Sequence, residues 1–178
     1  MRKQTLVMLH SFHAATEGHS KIMIRTVDTD VVVLAIANFK NIGCQELWLA
    51  FGTGKKFCYI PAHSIAASLG VDICESLPFF HAVTGCDTTS AFHGRGKKAA
   101  YDTWMALSSA TPAFKFLSDR PSSVDPVHFG NVERFIVLMY SHSFPLHEIN
   151  GACHFMFGSN RTIKNLPPTQ DALLQHVK

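Results

Sequence analysis

Within twenty residues the chain passes from a β-branched, apolar segment, Lys21 to Val27, to an apolar run, Val31 to Phe39, with Asp28 and Asp30 between them. The first segment reads as a strand, and the length of the second suits a helix better than another strand. Strand, acidic turn and helix in that order make α/β the expected class. Further on, Glu46 to Phe51 and Lys56 to Ile60 are short strand-like runs flanking Gly52, Thr53, Gly54 and Lys55, which have the glycine content of a tight reversal. A β-hairpin is expected there. Pro61 is placed to open a helix as its first residue, carrying Ala62 through Leu69 to a stop at Gly70. Ahead of the strand, Leu6, Leu9 and Phe12 have roughly helical spacing. They predict a helix from Leu6 to Thr16, broken by Glu17, Gly18 and His19.

The remainder reads as helical. The periodicity predicts helices over Ile73 to Thr84, Gly96 to Ser108, Pro112 to Leu117, Val127 to Ser143 and Leu146 to Phe157, with Pro167 and Pro168 preceding a last one at Thr169 to Val177. At 178 residues and 47% hydrophobic content, one domain over 1–178 is expected, with a core over 20–108 and a helical extension over 109–178. A chain of this size buries roughly 70% of its unfolded surface, so it needs no disulfide staples. Phe79, Phe80, Phe92, Trp104, Phe114, Phe116, Phe129 and Phe135 are expected to supply the core of the helical half. Cys44, Cys58, Cys74, Cys86 and Cys153 are odd in number and lack CxxC pairs, so reduced core thiols are expected. The run Leu6 to Leu9 is interrupted by His10 and His13 before it reaches signal-peptide length, and no apolar stretch approaches the ~20 residues of a membrane span. The expectation is an intracellular protein, nuclear or cytoplasmic, with no membrane partner. A net charge of +3 and a pI near 8.6 permit an anionic partner, with Lys55 and Lys56, and Arg95, Lys97 and Lys98, as the clusters.

Two motifs carry chemistry. In Thr26-Val27-Asp28-Thr29-Asp30, carboxylates at i and i+2 share a face about 6 to 7 Å apart if both keep strand geometry, a spacing suited to a hard cation. The alternative is that Thr29 or Asp30 caps the following helix. In Thr84-Gly85-Cys86-Asp87-Thr88-Thr89, Asp87 follows a glycine turn and would bring a third carboxylate, as magnesium favours. Gly94-Arg95-Gly96-Lys97-Lys98 then allows close backbone approach to a phosphate at the start of a helix. The alternatives are a helix cap at Asp87 or Thr88 and an exposed turn with solvated lysines.

The combination of Val27-Asp28-Thr29-Asp30, Gly85-Cys86-Asp87 and Gly94-Arg95-Gly96-Lys97 resembles the PIN-like, flap-endonuclease-like nuclease superfamily, chiefly over residues 22 to 106. Almost the whole chain is also similar to a group of uncharacterised animal proteins associated with mobile elements, through Arg25 to Leu34, Leu47 to Gly54, Phe80 to Lys98 and Pro167 to Ala172. The resemblance implies a PIN-like three-layer core with a short, mostly parallel sheet, a β-hairpin and a helical C-terminal half. It implies Asp28, Asp30 and Asp87 as catalytic ligands for Mg²⁺ or Mn²⁺. It further implies Gly94, Arg95, Gly96, Lys97 and Lys98 as contacts to nucleic acid, DNA ahead of RNA.

The superfamily's complete site also has an aspartate on an N-terminal strand and an acidic pair on a helix before the Asp28 strand. Here Arg2, Lys3, Gln4 and Thr5 stand in that place, and Glu17 is the sole carboxylate before Asp28. The expectation is therefore an N-terminally truncated, weak or inactive remnant of a metal-dependent phosphodiesterase, with a sheet edge open to a protein partner. The second expectation, from another class, is a non-catalytic module binding nucleic acid or protein. His10 and His13 lack the companions of a zinc site, and no Gly-x-Ser-x-Gly elbow is present.

Overall fold

The computed structural model describes residues 3–120, 125–141, 145, 147–159 and 162–177. The chain forms two compact units, Met1–Pro78 and Phe79–Lys178, with the boundary at Pro78 inside a helix. Proline lacks the N–H that would continue the helical ladder, so this is a natural weak point in it.

The first unit runs α1 (Lys3–Thr16), β1 (Lys21–Thr26), α2 (Thr29–Ile42), β2 (Glu46–Phe51), a 3₁₀ turn at Gly54–Lys56, β3 (Cys58–Pro61), α3 (Ala62–Leu69) and the start of α4 (Val71–Val83). The strands lie in the order β1-β2-β3. β1 and β2 are parallel, Lys21 opposite Glu46 through Thr26 opposite Phe51, with α2 as their crossover. β2 and β3 form the expected antiparallel hairpin, Phe51 opposite Cys58 and Trp48 opposite Pro61. With one pairing of each kind the sheet is mixed, not mostly parallel, because the chain makes a single helical crossover before doubling back.

Side chains alternate across these strands. Ile24, Leu47 and Leu49 face inward with Met8 of α1, Val31, Ala35 and Ile36 of α2, Ala62 and Cys74. Leu47 and Leu49 are fully buried, each contributing roughly 1.5 to 3 kcal/mol. Lys21, Met23 and Arg25 point to the other face, where Met23 stays largely exposed. Pro61 departs from expectation: it closes the hairpin opposite Trp48 and stands just before α3, not as its first residue. Lacking an N–H, it suits the end of an edge strand. Lys56, expected in that strand, lies in the 3₁₀ turn.

The second unit contains the end of α4, then α5 (Lys97–Ala106), α6 (Ala110–Asp119), α7 (Pro126–Tyr140), α8 (Ile149–Gly158), a 3₁₀ turn at Ile163–Asn165 and α9 (Gln170–His176). Its core is aromatic as expected: Phe80 stacks on Trp104 at 4.8 Å, and Phe114 meets Phe135 edge-on at 5.0 Å. Phe92 and Phe116 are the less buried members. Asp125 caps α7, accepting from the N–H groups of Val127 and His128, with Pro126 in the first turn. The predicted ends of two helices at residues 142–143 and 146 lie outside the described residues. No helix among the described residues is long and apolar enough to cross a membrane. All five cysteines are free. Only Cys44 and Cys74 are core thiols, their pKa values raised by burial, whereas Cys58 is exposed.

Glu133 is buried in α7, where it accepts a hydrogen bond from Gln170 Nε2 at 3.0 Å. Burial raises its pKa above the ordinary 4.5, against the lowering effect of the Gln170 and Ile149 hydrogen bonds. A raised carboxyl pKa means that the folded state holds its proton more tightly than the unfolded state. Its stabilising effect is therefore full below the ordinary value and is lost as pH rises through the folded value. Glu133→Gln keeps the acceptor and removes the charge. The melting temperature of the variant relative to wild type should rise as pH increases from about 4.5; a difference that is flat with pH would show that Glu133 stays solvated.

Candidate functional site

The acidic turn after β1 is built by its own side chains. The Asp28 N–H donates to Thr26 Oγ1 at 3.0 Å, and Asp28 Oδ1 accepts from the Asp30 N–H at 2.8 Å. Asp28, with extended backbone, is thus the cap of α2, while Asp30 already lies in the first helical turn. The pair does not keep a common strand geometry, and the cap is Asp28 instead of Thr29 or Asp30. A negative charge at each position also suits the positive end of α2. The other oxygen, Asp28 Oδ2, accepts from Gln4 Nε2 of α1 at 3.0 Å. Gln4 is the contributor that spacing could not reveal, because it reaches Asp28 from a separate helix. Each Asp28 oxygen keeps a lone pair beyond these bonds. The turn therefore retains capacity for a hard cation, in competition with a cap and an amide.

The second motif folds into a closed loop in the second unit. Gly85 has φ +98°, and an added Cβ would lie 2.6 Å from Ala91 Cα, so the backbone passes too close for any other residue. Cys86 and Thr89 pair as a short antiparallel bridge with Asp87 and Thr88 at the tip. Asp87 is exposed there. Thr89 Oγ1 donates to the Ala82 carbonyl at 2.7 Å and accepts from the Cys86 N–H at 3.1 Å. Burial pushes the Cys86 thiol up, but hydrogen bonds from Thr88 and Thr89 outweigh it and hold the thiol below its ordinary range.

The Gly94 to Lys98 segment is brought against that loop. Gly94 has φ +68° and Gly96 stands just before α5, as glycines do where a chain turns into a helix. Lys97 Nζ donates to the His81 carbonyl at 3.0 Å and to Thr84 Oγ1 at 2.9 Å, placing its charge at the carbonyl end of α4. Lys98 pairs with Asp102 at 3.0 Å. Arg95 lies over the Tyr140 ring, its Cζ 4.5 Å from the centroid, and its buried Nε has no hydrogen-bond partner among the described residues. Three of the five residues expected at phosphates thus have side chains engaged within the second unit. Asp28 and Asp30 share one turn of the first unit; Asp87 and Gly94 to Lys98 share the second.

Two substitutions test these local roles. Asparagine caps helices as well as aspartate, and its NH₂ can donate to the Gln4 oxygen once the Gln4 amide turns over, so Asp28→Asn should leave the denaturation midpoint nearly unchanged while Asp28→Ala costs about 1 kcal/mol; equal losses would remove the capping role. Gly85→Ala should cost about 2 kcal/mol or more, because it combines positive φ with backbone overlap. An unchanged urea midpoint would contradict the closed loop. No protein-family model, curated protein or solved structure matches the chain.

Proposed function

We propose that the chain is a nuclease-like domain of the PIN-like, flap-endonuclease-like kind. In this reading Asp28, Asp30 and Asp87 are ligands for Mg²⁺ or Mn²⁺, and a nucleic-acid phosphodiester, DNA ahead of RNA, is the substrate class. The supporting observation is the placement of Asp28 and Asp30 in one turn at the carboxyl end of β1, within a parallel β1-α2-β2 unit. Crevices at the carboxyl ends of parallel strands are where α/β sheets hold ligands. Carboxylate oxygens are the donors that hard divalent cations select. When bound, such an ion lowers the pKa of water and offsets charge on a phosphoryl group.

The protein's own groups set how much turnover to expect. Asp28 divides its two oxygens between the α2 cap and the Gln4 amide, so a cation competes with both. Gln4 contributes a neutral donor and no charge to hold an ion. Lys97 is tied to His81 and Thr84, which leaves less of it for a phosphate. Weak or absent turnover follows. These same engagements favour the second reading, a module that binds nucleic acid without cutting it.

The test is incubation of labelled single-stranded and duplex DNA and RNA with the protein in Mn²⁺, Mg²⁺ or EDTA, beside Asp28→Asn and Asp87→Asn. Slow Mn²⁺-dependent cleavage that falls to the EDTA background in both variants, at unchanged melting temperature, is the expected result. Cleavage that persists in both variants would defeat the carboxylate assignment. No cleavage by wild type in any metal would leave the binding module.

A further inference from the structure

We infer that the outer face of the sheet, at its β3 side, binds single-stranded nucleic acid, with an unpaired base stacked on Tyr59 and phosphates held by Arg25, Lys55 and Lys56. The identity of this ligand rests on the nuclease reading; the binding itself needs no cation. Arg25, Ala50 and Tyr59 stand in one row across β1, β2 and β3. The small Ala50 in the middle leaves the row's chemistry to its two ends. Arg25 Cζ lies 5.6 Å from the centre of the Phe57 ring, and Phe57 meets Tyr59 edge-on at 5.1 Å and 82°. Phe57 thus joins a cation to an aromatic ring that is 58% exposed.

Lys55 and Lys56 lie in the turn that precedes this ring, and both are exposed. Their turn is fixed to the sheet. Gly52 has φ +83°, an added Cβ would lie 2.7 Å from the Lys56 carbonyl oxygen, and its N–H donates to the Thr26 carbonyl at 3.1 Å. On the same face Lys21 is neutralised by Glu46 at 2.7 Å. Arg25, Lys55 and Lys56 have no salt bridge among the described residues. Uncompensated cations around an exposed ring match a ligand that is polyanionic and aromatic together. An acidic peptide would satisfy the charges but leave the ring unused, and a duplex hides its base faces within the stack. A single strand offers both groups, and Tyr59 faces the solvent from which it would arrive.

The experiment is fluorescence anisotropy of labelled oligo-dT and oligo-U with the full chain in EDTA, across a salt series, with duplex DNA and polyglutamate as competitors. Tyr59→Ala and Tyr59→Leu, the latter keeping apolar bulk, should each weaken binding about tenfold, and Tyr59→Phe should leave it near wild type. Replacing Lys55 and Lys56 together by Gln should lower the slope of log affinity against log salt by about 1.4. Because binding is read in EDTA, its outcome is separate from that of the metal-dependent cleavage assay. Tight binding of either oligomer with this pattern supports the site, and the preference between the two assigns DNA or RNA. Binding that survives both Tyr59→Ala and Tyr59→Leu, an unchanged salt slope, or equal competition by polyglutamate or duplex would overturn it.

Discussion

The Asp28 carboxylate joins three elements of the first unit, β1, α2 and α1. One oxygen closes the step from β1 into α2 by capping the helix, and the other accepts from Gln4 of α1. The cap sets where α2 begins, α2 carries the chain back to start β2 beside β1, and the Gln4 bond holds α1 against the same turn. Ile24, Leu47 and Leu49 then face Val31, Ala35 and Ile36 in one core. A one-residue slip in β1 would turn its apolar side chains outward, so the place where the strand ends matters to the whole unit. The same carboxylate is the first candidate cation ligand. Stability and chemistry therefore draw on one side chain, and substitution by Asn separates them because it preserves the cap and removes the charge.

In the second unit, polar groups that look available in the sequence are largely spent on holding a turn. Gly85 lets the backbone pass against Ala91, Thr89 ties the loop back to Ala82, and Lys97 reaches across to His81 and Thr84. A lysine ammonium at the carbonyl end of α4 serves both as hydrogen-bond donor and as complement to the helix dipole. Arg95 spreads its guanidinium on Tyr140. These interactions give Gly-x-Gly-Lys-Lys a structural role that needs no phosphate, and leave the N–H groups of the first turn of α5 as the part most suited to an anion.

Elements with a strong local signal were legible in the sequence. Glu46 to Phe51 has the predicted bounds of β2 because a short apolar run ends at Gly52, and Gly70 ends α3 because φ near +79° there favours glycine. The hairpin followed from its glycines. Pro61 could not be placed from local sequence, because a proline that opens a helix and one that ends an edge strand look alike until the partner strand is known. The capping residue was misplaced for a similar reason: Asp28, Thr29 and Asp30 are all good caps, and the choice among them depends on where β1 lets go. In the sequence Gln4 stands out only as a neutral residue. Its bond to Asp28 spans 24 positions and belongs to tertiary packing, which periodicity does not encode.

Net charge is uninformative in the same way. The sequence total of +3 does not rank its two basic clusters, Lys55 with Lys56 and Arg95 with Lys97 and Lys98. An anion, however, responds to the field left after internal pairing, and a cation already facing a carboxylate or a carbonyl contributes little to it. Lys98 has Asp102 and Lys97 has two oxygen partners, whereas the hairpin lysines have no such counter-group among the described residues. Of the two basic clusters in the sequence, Lys55 with Lys56 is therefore the one whose charge an anion would meet. In the first unit that cluster lies on the turn that Gly52 pins to Thr26, two residues before Asp28.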